Sequence, residues 1–199
     1  MPCSSSKTIL GIDPGTRIMG YGLVRTEGRK FSCIEMGVLN LTKETDALVK
    51  LERVHEEVVR LIECFSPDCL SIETPFYGKN VQSLIKLGRA QGVAIAAAMS
   101  MGVQVYEYAP LKIKQSLTGN GNASKEQVCA MVFRVLGLDS DRPRFLDATD
   151  AMAAAICHGI HSKLDDWALP AAKKKPLAPK SKGNWADFLQ KNPDRIRKS

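Results

Sequence analysis

The stretch Lys7–Asp13, which reads KTILGID, is the part of the sequence that decides the fold. Its apolar run predicts a buried strand that ends at Asp13, and the PGT that follows predicts a turn. Two more strands are predicted at residues 20–25 and 31–39, joined by a short hairpin-like connection. The first three strands are therefore expected to form an antiparallel meander.

The rest of the chain alternates between helical and strand patterns. Apolar residues recur at three- and four-residue steps in the helical segments, and short apolar runs mark the strands. The expected elements are a helix at 47–65, a strand at 69–73, a helix at 81–100, a strand at 103–108, a short helix from Pro110, a helix after a capping box at 124–127, and a last helix at 146–162. This order predicts an α/β fold with a mixed five-stranded sheet and helices on both faces.

Four carboxylates are expected at one end of this sheet. Asp13 and Glu73 each end a predicted strand, while Asp147 and Asp150 lie three residues apart at the start of the last helix and share one face. Alone, an Asp before Pro-Gly is usually a turn residue, a Glu after a strand is usually a solvated end, and Asp147 and Asp150 are also consistent with the positive end of a helix dipole. Together they favour a metal site, because clustered buried acids need cations, and oxygen ligands suit Mg²⁺ and Mn²⁺. Two such ions can promote phosphodiester cleavage.

Charge and cysteine usage narrow the class of protein further. The net charge is +7, and most of the excess lies in residues 163–199, where ten Lys or Arg oppose four Asp or Glu. A basic protein around an acidic site is consistent with binding a polyanion. The six cysteines form no C-x-x-C pair and no zinc-type spacing, so we expect free thiols. The sequence shows no charged and apolar leader at its N-terminus and no apolar stretch long enough to span a membrane, so we expect a cytoplasmic protein.

At these residues the sequence resembles the RuvC-type Holliday junction resolvases of bacteria. The resemblance depends on an ordered set of motifs over roughly residues 7–162, none of which is specific alone. They are ILGIDPGTRIMGYGL at 9–23, IETPF at 72–76 with Lys79 and Asn80, LGRAQGV at 87–93, KQ at 114–115, GNGNASK at 119–125 and DATDAMA at 147–153.

The resemblance implies an RNase H-like fold of the retroviral-integrase superfamily and a homodimer. It also implies a Mg²⁺-dependent crossover junction endodeoxyribonuclease, with two ions per subunit and Mn²⁺ as a substitute. Such an enzyme nicks two strands of like polarity symmetrically and leaves 5′-phosphate ends, in homologous recombination and DNA repair. A branch-migration motor complex is the implied partner.

The resemblance also assigns roles to particular residues. The family's four catalytic and metal-binding acids fall on Asp13, Glu73, Asp147 and Asp150. Its stacking aromatic residue falls on Phe76, whose alternative is to pack under its own loop. The lysines that contact the DNA backbone fall on Lys114 and Lys125, on either side of a Gly/Asn loop, and Lys79 is a further DNA-binding candidate. The small residues of the helix at 81–100 suit either a dimer contact or close packing on the sheet.

We expect two regions in the chain. Residues 1–163 are predicted to form the nuclease domain, and residues 164–199 a basic, largely flexible tail. Within the tail, Ala, Pro and Lys dominate 168–183, and Trp185 and Phe188 mark a short aromatic island at 184–190. Added DNA affinity, partner binding and mere solubility are all compatible with this tail.

Three other functions remain open from the sequence. The GIDPGT at 11–16 is similar to the phosphate loop of sugar-kinase or chaperone-type ATPases, but those folds need two such domains. Another RNase H-like nuclease, acting on RNA–DNA hybrids, would use the same acids. A junction-binding protein that does not cleave DNA is the third alternative.

Overall fold

The computed structural model describes the backbone of residues 6–28, 30–75, 80–138 and 146–167, with side chains as far as residue 162. Its five strands are β1 (Lys7–Asp13), β2 (Ile18–Glu27), β3 (Lys30–Asn40), β4 (Cys69–Glu73) and β5 (Gln104–Tyr108). Its helices are α1 (Ala47–Phe65), α2 (Val81–Ser100), α3 (Pro110–Thr118), α4 (Lys125–Leu136) and α5 (Leu146–Trp167). The predicted capping box of α4 is present, since Ser124 and Gln127 bond reciprocally.

The strands form one mixed sheet in the order β3-β2-β1-β4-β5. The first three strands pair antiparallel, which confirms the expected meander, and β4 lies parallel to both β1 and β5. Because Ile12 of β1 pairs with Ile72 of β4, the residues that follow them, Asp13 and Glu73, leave the sheet at the same end. The expectation that these two acids lie at one end of the sheet is therefore confirmed.

Helices cover both faces of the sheet, as expected. Side chains of β1 alternate between the faces, so Ile9 joins the core under α3, α4 and α5, while Leu10 and Ile12 join the core under α1 and α2. Buried aliphatic side chains make up most of both cores. The sheet is thus held rigidly from both sides, and its end near Asp13 has a fixed geometry.

Some element bounds differ from the sequence prediction. β2 runs from Ile18 to Glu27 instead of 20–25, because its ladder with β3 continues from Ile18–Asn40 to Glu27–Lys30 through residues that have no apolar alternation. β5 begins one residue later than predicted. α5 continues to Trp167 instead of ending at 162, since the sequence after 162 has no glycine or proline to stop it before Pro170.

The expectations for the cysteines, the two regions of the chain and membrane spans concern the whole chain, and the structure describes part of it. Its cysteines, Cys33, Cys64, Cys69, Cys129 and Cys157, are free thiols, and Cys3 lies outside the described residues. The first of the two units into which the chain divides is Met1–Leu164. The first four residues of the predicted tail, 164–167, continue α5, and the rest of the tail with its aromatic island lies outside the described residues. None of the described helices has the length and apolar character required to cross a membrane.

Candidate active site

The four acids meet at the end of the sheet where β1 and β4 finish. Asp13 comes from β1 and Glu73 from β4, while Asp147 and Asp150 come from the first turns of α5. Carboxylate oxygens of Asp13, Asp147 and Asp150 all lie within 4.8 Å of one another. Glu73 lines a hollow of about 80 Å³ together with Asp13 and Asp150. The structure therefore brings together the acids that the sequence analysis singled out.

Crowding makes the charged form of these acids costly. Burial, followed by the charges of Glu73 and Asp150, raises the pKa of Asp13 well above its ordinary value. Burial and the charge of Asp150 likewise raise the pKa of Glu73 to about 7. Without a bound cation, the cluster thus resists full ionisation at neutral pH.

The chemistry of these donors fits a divalent cation. All are carboxylate oxygens, which Mg²⁺ and Mn²⁺ prefer over nitrogen or sulfur. Three of them converge within the span of one coordination sphere. Burial, and after it the neighbouring carboxylates, raises the pKa of Asp13 and of Glu73, and a bound cation would favour their ionised forms.

Two lysines complete the hollow that contains these acids. The ammonium of Lys125 donates to Asp150 Oδ2 at 2.6 Å. Burial alone would lower the pKa of Lys125, but this hydrogen bond and the charge of Asp150 raise it. Lys114 of α3 lines the same hollow, and its charge lowers the pKa of Glu73. Both predicted DNA-contacting lysines that the structure describes therefore lie beside the acids.

Close packing of α5 on the sheet sets the spacing of the acids. A methyl group on Gly20 would collide with the carbonyl oxygen of Asp147, and one on Gly11 with that of Ala151. Only glycine at these strand positions allows the helix backbone to approach so closely. The buried hydroxyl of Ser71 also donates to the Ala154 carbonyl oxygen at 2.7 Å, which ties α5 to β4.

The sequence analysis did not single out these glycines. Gly11 and Gly20 position Asp147 and Asp150 without touching any ligand. A signal was present, because glycine inside a strand often marks a point where another backbone comes close. What the sequence did not tell us was which helix would approach.

Two predicted DNA-binding residues cannot be compared with the structure. Phe76 and Lys79 lie outside the described residues. The chain is described up to Pro75 and again from Asn80, whose side chain accepts from the Ser83 backbone N–H and caps α2. The expected roles of Phe76 and Lys79 stay predictions.

Comparison with known proteins identifies the family. The family model described as crossover junction endodeoxyribonuclease RuvC matches residues 9–158. The protein of that name from Cytophaga hutchinsonii is 48% identical, over 98% of this chain and 91% of its own. The one from Bacteroides fragilis is 50% identical, over 96% of each chain.

Solved structures agree with this assignment. Thermus thermophilus RuvC superimposes with a TM-score of 0.72 at 33% identity, covering 79% of this chain and 96% of that one. Its complex with a Holliday junction substrate gives a TM-score of 0.71 at 31% identity, with the same coverage. The fold is thus RNase H-like, as expected, and the chain belongs to the RuvC family of crossover junction endodeoxyribonucleases.

Proposed function

We propose that this protein resolves Holliday junctions by nicking two strands of like polarity symmetrically, in homologous recombination and DNA repair. The observation that carries the proposal is the convergence of four acids and two lysines at one end of the sheet. The Thermus thermophilus relative, which has been solved with a Holliday junction substrate, supports four-way DNA as the substrate. We expect products with 5′-phosphate ends.

The acids Asp13, Glu73, Asp147 and Asp150 are proposed as catalytic residues and as ligands for two Mg²⁺ ions per subunit, with Mn²⁺ as a substitute. Ions bound there would supply an activated water and compensate the charge of the leaving oxygen. The protein's own part is to hold the carboxylates in place, through the sheet for Asp13 and Glu73 and through α5 for the two others.

The two lysines of the hollow have a separate task. Lys125 lies beside Asp150, and Lys114 lies near enough to Glu73 to affect its pKa. We propose that they contact the phosphate oxygens next to the scissile bond and hold the strand in line with the acids. Phe76 and Lys79 are proposed to act on the junction itself, by stacking on an unpaired base and by binding backbone.

Symmetric nicking needs two active sites, and α2 supports a homodimer. Its small residues divide between two faces. Ala90, Ala94, Ala97 and Ala98 are buried in the protein's own core, so close packing on the sheet accounts for four of the seven glycines and alanines of the helix. Gly88 and Gly92 face outward with nothing within 4 Å, between exposed Ile85 and Met99. We propose that this outward face pairs with α2 of a second copy.

Two further parts of the proposal depend on the family alone. The partner is a branch-migration motor complex, which would deliver junctions to the enzyme. The location is the cytoplasm, and the free thiols of the described cysteines are consistent with a reducing compartment.

The decisive experiment compares the parent with Asp13→Asn on a mobile four-way junction in Mg²⁺. The parent should cut two strands of like polarity, and strand mapping should place the nicks symmetrically. Asp13→Asn should bind the junction but cut it slower by a factor on the order of 10³ or more, because a metal ligand is lost. Glu63→Gln, which removes an exposed acid of α1, is the control and should cut like the parent.

The same assay separates the alternatives. Equal binding without cutting by the parent and Asp13→Asn would make the protein a junction binder only. Equal cutting of linear duplex or RNA–DNA hybrid and of four-way DNA would make it a nuclease of another specificity. Sedimentation of the parent should give a dimer, and a monomer that still cuts symmetrically would overturn the role of α2.

A further inference from the structure

A basic groove of about 410 Å³ lies between α1, α2 and the turn that follows β1. Four cationic side chains line it: Arg17 from the turn, Lys50 from α1, and Lys86 and Arg89 from α2. The hydroxyl residues Thr16, Thr45 and Ser83 lie between them. We call this surface the basic groove.

The basic groove is lined by four cations, and the acid Asp147 lies in the hollow beside it. No Asp or Glu is among its described lining residues. Within the described part of the chain, the ion pairs involve Arg60 and Lys125, and none of the four groove cations takes part. Concentrated positive charge without a protein partner costs stability through self-repulsion, so it points to an anionic ligand.

The basic groove is continuous with the acid cluster. A second hollow, also of about 410 Å³, is lined by Thr16 and Arg17, which belong to the basic groove as well, and by Asp147 of the cluster. α1 and α2 both begin at the end of the sheet where β1 and β4 finish. A polyanion whose scissile bond lies at the acids can therefore extend across Arg17 into the basic groove.

We propose that the basic groove binds the phosphate backbone of a DNA arm, beyond the acids that surround the bond to be cut. The inference depends on the proposed junction-cleaving function and adds to it a contact surface outside the active site. Long cationic side chains with hydroxyl groups between them are typical of backbone contacts, which position DNA without reading sequence. Counterion release then makes this contact sensitive to salt.

The lining also argues against a free nucleotide as the occupant. No Phe, Tyr or Trp is among the described lining residues, so nothing there offers a stacking surface for a base. The cations of the groove come from three separate segments: the turn after β1, α1 and α2. An extended backbone with regularly spaced phosphates matches this arrangement better than one compact anion does.

The test compares the double substitution Lys50→Gln/Lys86→Gln with Arg25→Gln/Lys30→Gln in full-length protein. The control removes the same charge from exposed positions at the opposite end of the sheet, where Arg25 pairs with Thr8. Affinity for a four-way junction is measured without divalent ions, so that nothing is cut, across a range of salt concentrations. Sedimentation checks that each variant keeps the oligomeric state of the parent.

We expect the groove variant to bind about tenfold or more weakly at low salt. Its slope of log affinity against log salt should fall by about two, one for each lost phosphate contact. The control should keep a slope close to that of the parent, because its charges face away from the DNA.

Three results would overturn the proposal. If the parent cuts junctions but the groove variant binds like the control, only the groove assignment is wrong. If the groove variant loses binding of inorganic tripolyphosphate but keeps its DNA affinity, the groove is a small-anion site. If the parent neither binds nor cuts four-way DNA, the proposed function fails together with the groove.

Discussion

The acid cluster and the basic groove lie at the same end of the sheet but are built in opposite ways. The carboxylates of the cluster are crowded within a few ångströms, and helix backbone packed against strand backbone fixes their positions. The cations of the groove are spread over three segments, on side chains that are mostly exposed. Bond cleavage requires fixed geometry, whereas holding a backbone requires only charge in roughly the right place. Substitutions in the cluster and in the groove should therefore impair cleavage and DNA binding separately.

The largest difference between the loss of cleavage and the loss of DNA affinity is expected for Gly20→Ala. The added methyl group would collide with the Asp147 carbonyl oxygen and push α5 away from β2. A displacement of about 1 Å can cost about 100-fold in rate, so we expect at least that loss of junction cleavage. Unfolding by denaturant should show a loss of stability of about 1–3 kcal/mol, while affinity for four-way DNA stays near that of the parent.

The matched control for this substitution is Gly37→Ala on β3. There the methyl group would meet the end of the Tyr21 side chain, which can move aside, instead of a backbone atom. This variant should cut close to the parent rate. Gly20→Ala cutting as fast as Gly37→Ala would show that the spacing of the acids does not depend on the close approach of α5.

The second prediction concerns how the stability of the protein depends on pH through the carboxylic acids of the cluster. In the metal-free protein, the pKa of Glu73 is raised to about 7 and that of Asp13 is raised too, so the folded state binds protons more tightly than the unfolded state. Stability should therefore fall as pH rises from about 4.5 through about 7, by roughly 2–3 kcal/mol. Urea unfolding with a chelator at about pH 4.5 and at about pH 8 measures this difference.

Two additions sharpen the pH experiment. Mg²⁺ should restore stability at pH 8, because it replaces the protons that the acids have lost. Asp13→Asn should be more stable than the parent at pH 8 without metal, since it removes one of the repelling charges. If the parent and Asp13→Asn show the same pH dependence, the acids do not repel one another as the geometry indicates.

The smallest effect is expected from the tail. The last helix continues to Trp167, so truncation after Trp167 removes the basic tail without cutting into α5. We expect a loss of DNA affinity of about two- to fivefold and a smaller salt slope, with an unchanged cleavage rate at saturating enzyme. Filter binding over a salt series would measure both. A truncated protein with parental affinity and slope would leave the tail without a part in DNA binding.

The sequence was sufficient for the sheet and the acids. A buried apolar run that stops at Asp13, and another that stops at Glu73, predict strand ends directly, and their parallel pairing confirms that they meet. The three-residue spacing of Asp147 and Asp150 needs only helical periodicity. These features are local, or follow from short runs of residues, and for that reason they were predictable.

Features that depend on distant segments were not predictable. Arg17, Lys50 and Lys86 are separated by more than thirty residues at each step, and only the packing of α1 and α2 beside the turn after β1 brings them to one groove. The close approach at Gly20 required knowing that α5 lies over β2. The length of β2 was underestimated, because hydrogen bonds extend a hairpin where no apolar pattern marks it.

The glycines under α5 have one more consequence, for how the enzyme tolerates change. Side-chain packing can absorb a substitution by a change of rotamer nearby, but two backbones in contact have no such freedom. The distance between the acids is thus insulated from most variation in the hydrophobic core. A single added carbon at Gly11 or Gly20, however, would change the distance between the acids. We expect volume-conserving substitutions in the cores to preserve cleavage more often than any substitution at these two positions does.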